Sequence, residues 1–147
     1  MRRIYLAGRF SRQKELSYCG FRLRQLGATV DARWLDQDDG DWDVEDIRAG
    51  SLYAIEMGRR RAAEDLKDLG RSNMLLSFTE NDDAGYTSDG SHHVEFGAAR
   101  WLGLTLAIVG PRENVFHCAE DVAQFDDFEA FIESDYLRGW LRSRGLR

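Results

Sequence analysis

Glu95 stands in the run Gly90-Ser-His-His-Val-Glu-Phe-Gly97, about one turn into a helix that follows a polar loop. An acidic side chain there feels the positive end of the helix dipole. A carboxylate held in fixed geometry is what attack on a sugar anomeric carbon requires, because its charge first stabilises and then captures the oxocarbenium-like centre. The same position suits an exposed helix glutamate, and spacing alone favours that reading. Asp89, six residues earlier, sits where a cap or turn aspartate is expected. Asp65 lies in Ala62-Ala-Glu-Asp-Leu-Lys-Asp68 beside Arg61 and Lys67, a setting that fits a solvated face as well as a functional one. Tyr5 falls on a strand, where an aromatic ring packs, while a hydroxyl near the strand end can reach a crevice and orient a carboxylate.

Anion binding has its own candidates. Gly8-Arg-Phe-Ser-Arg12 matches neither G-x-x-x-x-G-K-[ST] nor G-x-G-x-x-G, yet Arg9, Ser11 and Arg12 precede one helix, and Ser88 and Ser91 flank the start of another. Helix N-termini with hydroxyls and arginines are competent anion sites. His92, His93 and Glu95 suggest a metal, but adjacent histidines on a helix are expected to diverge and no third well-spaced ligand is evident, so no metal and no other cofactor is assigned.

These residues need a scaffold. Arg3 to Ala7 is a short strand, and Leu16, Cys19, Leu23 and Leu26 mark a helix ending near Gly27. Ala28 to Trp34 reads as a second strand, and Asp36 to Asp46 as a solvated acidic loop. Ile47 to Leu69 reads as one helix stopped at Gly70. Asn73 to Thr79 and Leu104 to Val109 are unbroken apolar runs, the pattern of strands buried on both faces. The polar stretch Glu80 to Gly90 runs into a helix over about Ser91 to Leu102. Val115 to Cys118 and Val122 to Phe125 read as short strands, and Asp127 to Arg142 as a helix. Alternation of strands and helices implies α/β: a three-layer Rossmann-like (flavodoxin-like) sandwich with a mainly parallel central sheet. Ligands of such sheets bind beyond the carboxyl ends of strands, so Gly8 to Arg12, Asp82 to Glu95 and Pro111 to His117 should converge on one crevice.

Composition narrows the function. At 147 residues, 43% hydrophobic and 31% charged, residues 1–147 fit one folded domain. A balance of 26 acidic against 20 basic side chains, net −6, disfavours a nucleic-acid partner. The longest apolar stretch, Trp101 to Val109, is far below the ~20 residues of a membrane span. Met1-Arg2-Arg3 opens no secretory signal, and Cys19 and Cys118 form no disulfide framework, so a cytoplasmic location with reduced thiols is expected.

Together, Arg3-Ile-Tyr-Leu-Ala-Gly8, Ala63-Glu-Asp-Leu66, Asp89-Gly-Ser-His-His-Val-Glu-Phe-Gly97 and Gly110-Pro-Arg-Glu-Asn-Val115 resemble the nucleoside 2-deoxyribosyltransferase family, which includes nucleotide N-glycosidases. The most specific element is Asp, five residues, then Glu-x-Gly after a buried strand. The resemblance implies that Glu95 attacks C1′, that Tyr5 orients its carboxylate, and that Asp65 and Asp89 bond the base and assist its protonation as it leaves. Gly8, Arg9, Phe10, Arg12, Ser88, Gly90 and Ser91 are the expected substrate-binding residues, and Arg9, Arg12, Ser88 and Ser91 depart from transferases of free nucleosides, which leave the 5′ side closed to a phosphate, in the direction of a 5′-monophosphate. Asn114 matches a position that reaches the sugar 5′-hydroxyl across a subunit interface, so a homo-oligomer is implied. Ser-His-His-Val-Glu resembles the monophosphate hydrolase branch, whereas Asp65, Asp89 and Asn114 resemble the transferase branch. A nucleoside or its 5′-monophosphate, with transfer to a base or to water, is thus the expected chemistry. A non-catalytic nucleotide-binding or sensor module on the same fold is the alternative, and a metal-dependent hydrolase using His92, His93 and Glu95 a third reading.

Overall fold

The computed structural model describes residues 1–38, 40–79 and 90–143. Three apolar segments become the central strands because both of their faces are covered: β1 (Arg3–Ala7), β3 (Met74–Phe78) and β4 (Thr105–Val109), with β2 (Thr29–Val30) and β5 (Val122–Phe125) at the edges. All pairings are parallel, in the order β2-β1-β3-β4-β5. One row across the sheet runs Tyr5, Leu75, Leu106, Val122. The class is α/β with the flavodoxin-like strand order, whose direction of winding reverses between β1 and β3.

Parallel strands need crossovers, and the helices supply them on both faces. On one face lie α1 (Gln13–Gln25) and α5 (Phe128–Ile132), joined by Arg22 and Glu129 at 3.1 Å. On the other lie α3 (Leu52–Arg71) and α4 (Ser91–Trp101), which contact each other and β1. Alternation along β1 sends Leu6 toward Gly20 of α1 and Tyr5 toward α4. No described helix is long and apolar enough to cross a membrane.

Several boundaries differ from the sequence expectation. The strand expected over Ala28 to Trp34 is only Thr29–Val30, and Arg33–Asp36 is a 3-10 turn. Two buried polar contacts bend the chain there. Asp68, fully buried, accepts from the Arg33 backbone N–H and Nε, both at 3.0 Å, and Trp34 Nε1 donates to the Leu6 carbonyl at 2.8 Å. The helix expected over Ile47 to Leu69 is two: α2 (Val44–Arg48), started by a reciprocal Asp43/Asp46 capping box, and α3, capped by Ser51. Gly50, at φ +81°, makes the break. Gly70 lies inside α3 rather than ending it. Val115–Cys118 is a 3-10 turn capped by Asn114, not a strand, and the last helix is divided into α5 and α6 (Asp135–Arg142) by the Ser134 cap.

Candidate functional site

Beyond the carboxyl end of β1, at the reversal of winding, lies a cavity of about 590 Å³. That volume is in the range of small-molecule sites. Its floor is the connection Gly8, Arg9, Phe10. One wall is a stripe of α3, Gly58, Arg61, Ala62, Asp65, Leu66 and Leu69, at the three- and four-residue spacing of one helix face. Ser91, Val94 and Glu95 of α4 form the opposite wall, and Trp34, Gln37, Trp42 and Asp43 close the third side. The acidic segment expected as a solvated loop therefore contributes to the wall of the cavity, with Asp39 outside the described residues.

Glu95 occupies the fifth position of α4, and the Tyr5 hydroxyl donates to its Oε1 at 2.7 Å. Tyr5 is fully buried. Burial pushes its phenol far above the ordinary range, and the charges of Glu95 and Asp65 push it further, so it remains a proton-bearing donor at any working pH. The buried donor restricts the positions that the Glu95 carboxylate can take while keeping this bond.

Asp65 is the second unusual carboxylate. Burial raises its pKa to about 6, the Asp68 and Glu64 charges add to the rise, and Arg61 and the Tyr5 hydroxyl oppose it. Its Oδ1 is buried with no hydrogen-bond partner among the described residues. A carboxyl group with this proton affinity exchanges protons near neutrality, as a general acid or base must. Neighbouring Asp68 behaves differently: burial acts to raise it, but the Arg33 hydrogen bonds and charge, with Arg71, hold it below the ordinary range. Asp68 is thereby a structural anchor.

Aromatic and cationic groups line the remaining space. Phe10 packs 6.3 Å from Trp34, and the Arg61 guanidinium lies 5.4 Å over the Phe10 ring and 4.6 Å over that of Trp42. Rings of this kind offer flat apolar faces to a heterocycle.

The other expected residues are distributed as follows. Gly8, Arg9, Phe10 and Ser91 line the cavity, and Gly90, at φ +83°, turns the chain into α4. Arg12 is outside the cavity lining: it forms two hydrogen bonds with Glu15, at 2.7 and 2.9 Å, and stacks on Phe78. Asn114 also lies outside it, as the cap of the 115–118 turn, with Nδ2 3.4 Å from His93 Nδ1. Ser88 and Asp89 lie outside the described residues. The expected convergence therefore brings the β1 connection and α4 into the cavity, while the segment after β4 meets the far side of α4.

Sequence reasoning missed Arg61, Trp34 and Trp42. The 58-61-62-65-66-69 spacing was a usable signal for the first. It also expected His92 and His93 to diverge, and they do not: their rings lie 4.0 Å apart and both reach Glu113, at 3.3 and 3.6 Å. In the first turn of α4 both long side chains fold toward the segment after β4. Burial holds His93 and His117 below the ordinary histidine range, and the neighbouring histidines add to the effect.

Among solved structures, the chain is similar to a 2-deoxyribosyltransferase from Bacillus psychrosaccharolyticus, with a TM-score of 0.65 and 20% identity over 92% of this chain and 94% of that one. It is also similar to the CMP N-glycosidase of Clostridium botulinum, with a TM-score of 0.57 and 13% identity over 90% and 96% of the two chains. No family model matches the sequence, and no curated protein matches it. At these identities the likeness establishes a shared fold over nearly the whole of each chain.

Proposed function

We propose that the protein is an enzyme of the nucleoside 2-deoxyribosyltransferase type, breaking the N-glycosidic bond of a (deoxy)nucleoside or its 5′-monophosphate. The observation that carries this reading is the 2.7 Å bond from the buried Tyr5 hydroxyl to Glu95 beside a cavity that also holds Asp65. Of the two similar structures, one is named a 2-deoxyribosyltransferase suited to nucleoside synthesis and the other a CMP N-glycosidase, which supports the reading.

The chemistry follows from the groups present. Glu95 attacks C1′ as the bond to the base breaks, forming a glycosyl ester. The departing base gains a proton from Asp65, whose raised pKa leaves about a tenth of the molecules protonated at pH 7. A second displacement, by water or by another base, releases Glu95. Phe10, Trp34 and Trp42 would hold the base between apolar faces, while Arg9 and Ser91 mark the end suited to a sugar hydroxyl or phosphate. Tyr5 acts through Glu95 and is a positioning residue.

A homo-oligomer belongs to the same proposal. Asn114 is not among the residues lining the cavity of its own chain, and the adjacent Val115 and Phe116 are 78% and 64% exposed, a surface suited to a second copy.

Chromatography tests the reading: nucleosides and 5′-monophosphates are incubated with the protein, with and without an acceptor base, beside Glu95→Ala. Base release that disappears in the variant is expected, and exchange with the acceptor distinguishes transferase from hydrolase. Tight ligand binding that survives Glu95→Ala, with no base released by the native protein, would instead indicate a binding module.

A further inference from the structure

All three histidines of the chain, His92, His93 and His117, gather with Glu113 on the side of α4 away from the cavity. His92 and His93 both face the Glu113 carboxylate, while His117 meets the backbone of the same residue. His92 is buried, His93 and Glu113 are partly buried, and one ligand atom from each lies within 4.8 Å of the others.

We propose that His92, His93 and Glu113 bind a divalent first-row transition ion, Zn²⁺ being the type. Two imidazoles and a carboxylate are the donor set such ions favour over Mg²⁺ or Ca²⁺, which prefer oxygen alone. The spacing from Glu113 to each histidine also fits, with all the ligand atoms within 4.8 Å of one another. Ligand atoms about 2.0 to 2.2 Å from a common tetrahedral ion lie about 3.3 to 3.6 Å from each other. Glu113 Oε2 is 3.3 Å from His92 Nε2 and 3.6 Å from His93 Nε2. Three protein ligands leave the fourth position for water.

The surroundings fix one ligand and oppose another. The Glu113 backbone N–H donates to His117 Nδ1 at 3.1 Å, and His117, fully buried, packs its ring 4.7 Å from that of Phe96. This anchors the segment that presents Glu113. Asn114 Nδ2, in contrast, faces His93 Nδ1 at 3.4 Å and favours the tautomer with its proton on Nε2. Coordination through Nε2 moves that proton to Nδ1, so this long contact must give way. The site is therefore weaker than one whose outer partners are already matched. The bound ion would tie the first turn of α4 to the segment after β4, and Glu95 stands two residues beyond His93. The site does not depend on the reaction proposed for Glu95.

The test uses full-length protein without an affinity tag. Titration with Zn²⁺ in a calorimeter should show one saturable site per chain, unaffected by millimolar Mg²⁺, and Co²⁺ should give the visible absorption of a tetrahedral centre. His93→Ala and Glu113→Gln should each weaken binding by more than about tenfold, and Zn²⁺ should raise the melting temperature of the native protein but not of these variants. Absence of saturable Zn²⁺ binding to the native protein would overturn the proposal, as would binding that survives both substitutions. Because the native titration and Co²⁺ spectrum need no variant, the proposal stays decidable even if a substituted chain fails to fold.

Discussion

Asp65→Asn should make the protein more stable at neutral pH while impairing its chemistry. Burial, with the nearby Asp68 and Glu64 charges, raises the Asp65 pKa from the usual 3.8 to about 6. The folded state therefore prefers the protonated group, and ionisation at neutral pH costs stability. The sign follows from linkage: between about pH 4 and 6 the folded state binds more protons than the unfolded one, so stability falls as pH rises through that window. At about 1.4 kcal/mol per tenfold change in proton affinity, the ceiling is near 3 kcal/mol. Partial solvent access to Asp65 reduces this to about 1 to 2 kcal/mol. Asparagine keeps the shape without the charge, so it should gain that amount at pH 7.5 and roughly half as much at pH 5. Urea denaturation of both proteins at the two pH values reads this directly. A variant less stable at pH 7.5, or a gain that does not change with pH, would refute the reasoning. If Asp65 acts in catalysis as proposed, keeping a half-buried carboxyl there is the expected origin of such a trade between stability and activity.

Other outcomes follow from the same geometry. If Asp65 protonates the leaving base, kcat/KM should decline above about pH 6 in the native enzyme, and this limb should vanish in Asp65→Asn; a stopped assay over pH 5 to 8 reads both profiles. Tyr5→Phe removes one hydrogen bond to a carboxylate and keeps the ring that fills the core, so kcat should fall about 10- to 100-fold with KM and melting temperature little changed. Gly110→Ala should destabilise the fold by about 2 kcal/mol or more, measured by thermal melting, because its φ is +111° and a Cβ would come within 2.7 Å of the Thr79 carbonyl.

Fold class was legible because the determining signals are local. Asn73 to Thr79 and Leu104 to Val109 are apolar without alternation, and only strands covered on both faces tolerate that. The order of strands and helices then limits the topology, since parallel pairs need crossovers. What was not legible depends on distant partners. Nothing local in Arg33-Trp-Leu-Asp36 reveals that Asp68, 35 residues later, will capture Arg33 and cut the second strand short. The chain between Ile47 and Leu69 keeps its apolar spacing across Gly50, so the break was hidden by periodicity. At the candidate site, the pairing of Tyr5 with Glu95 was legible through the family resemblance and not through spacing, which favoured a surface glutamate and a packing tyrosine. Trp42 escaped notice because it is set among carboxylates, and its place over Arg61 exists only in the fold. The histidine pair was misread because ideal helical directions do not include a receiving carboxylate on another segment.

The central claim is that Glu95 carries the sugar. Intact and peptide mass spectrometry of protein quenched during turnover, with a nucleoside or 5′-monophosphate that releases base, tests it most directly. An adduct with the mass of the glycosyl group is expected on the peptide containing Glu95, lost in Glu95→Ala together with base release. Base release that continues in Glu95→Ala, or an adduct on another residue, would contradict it.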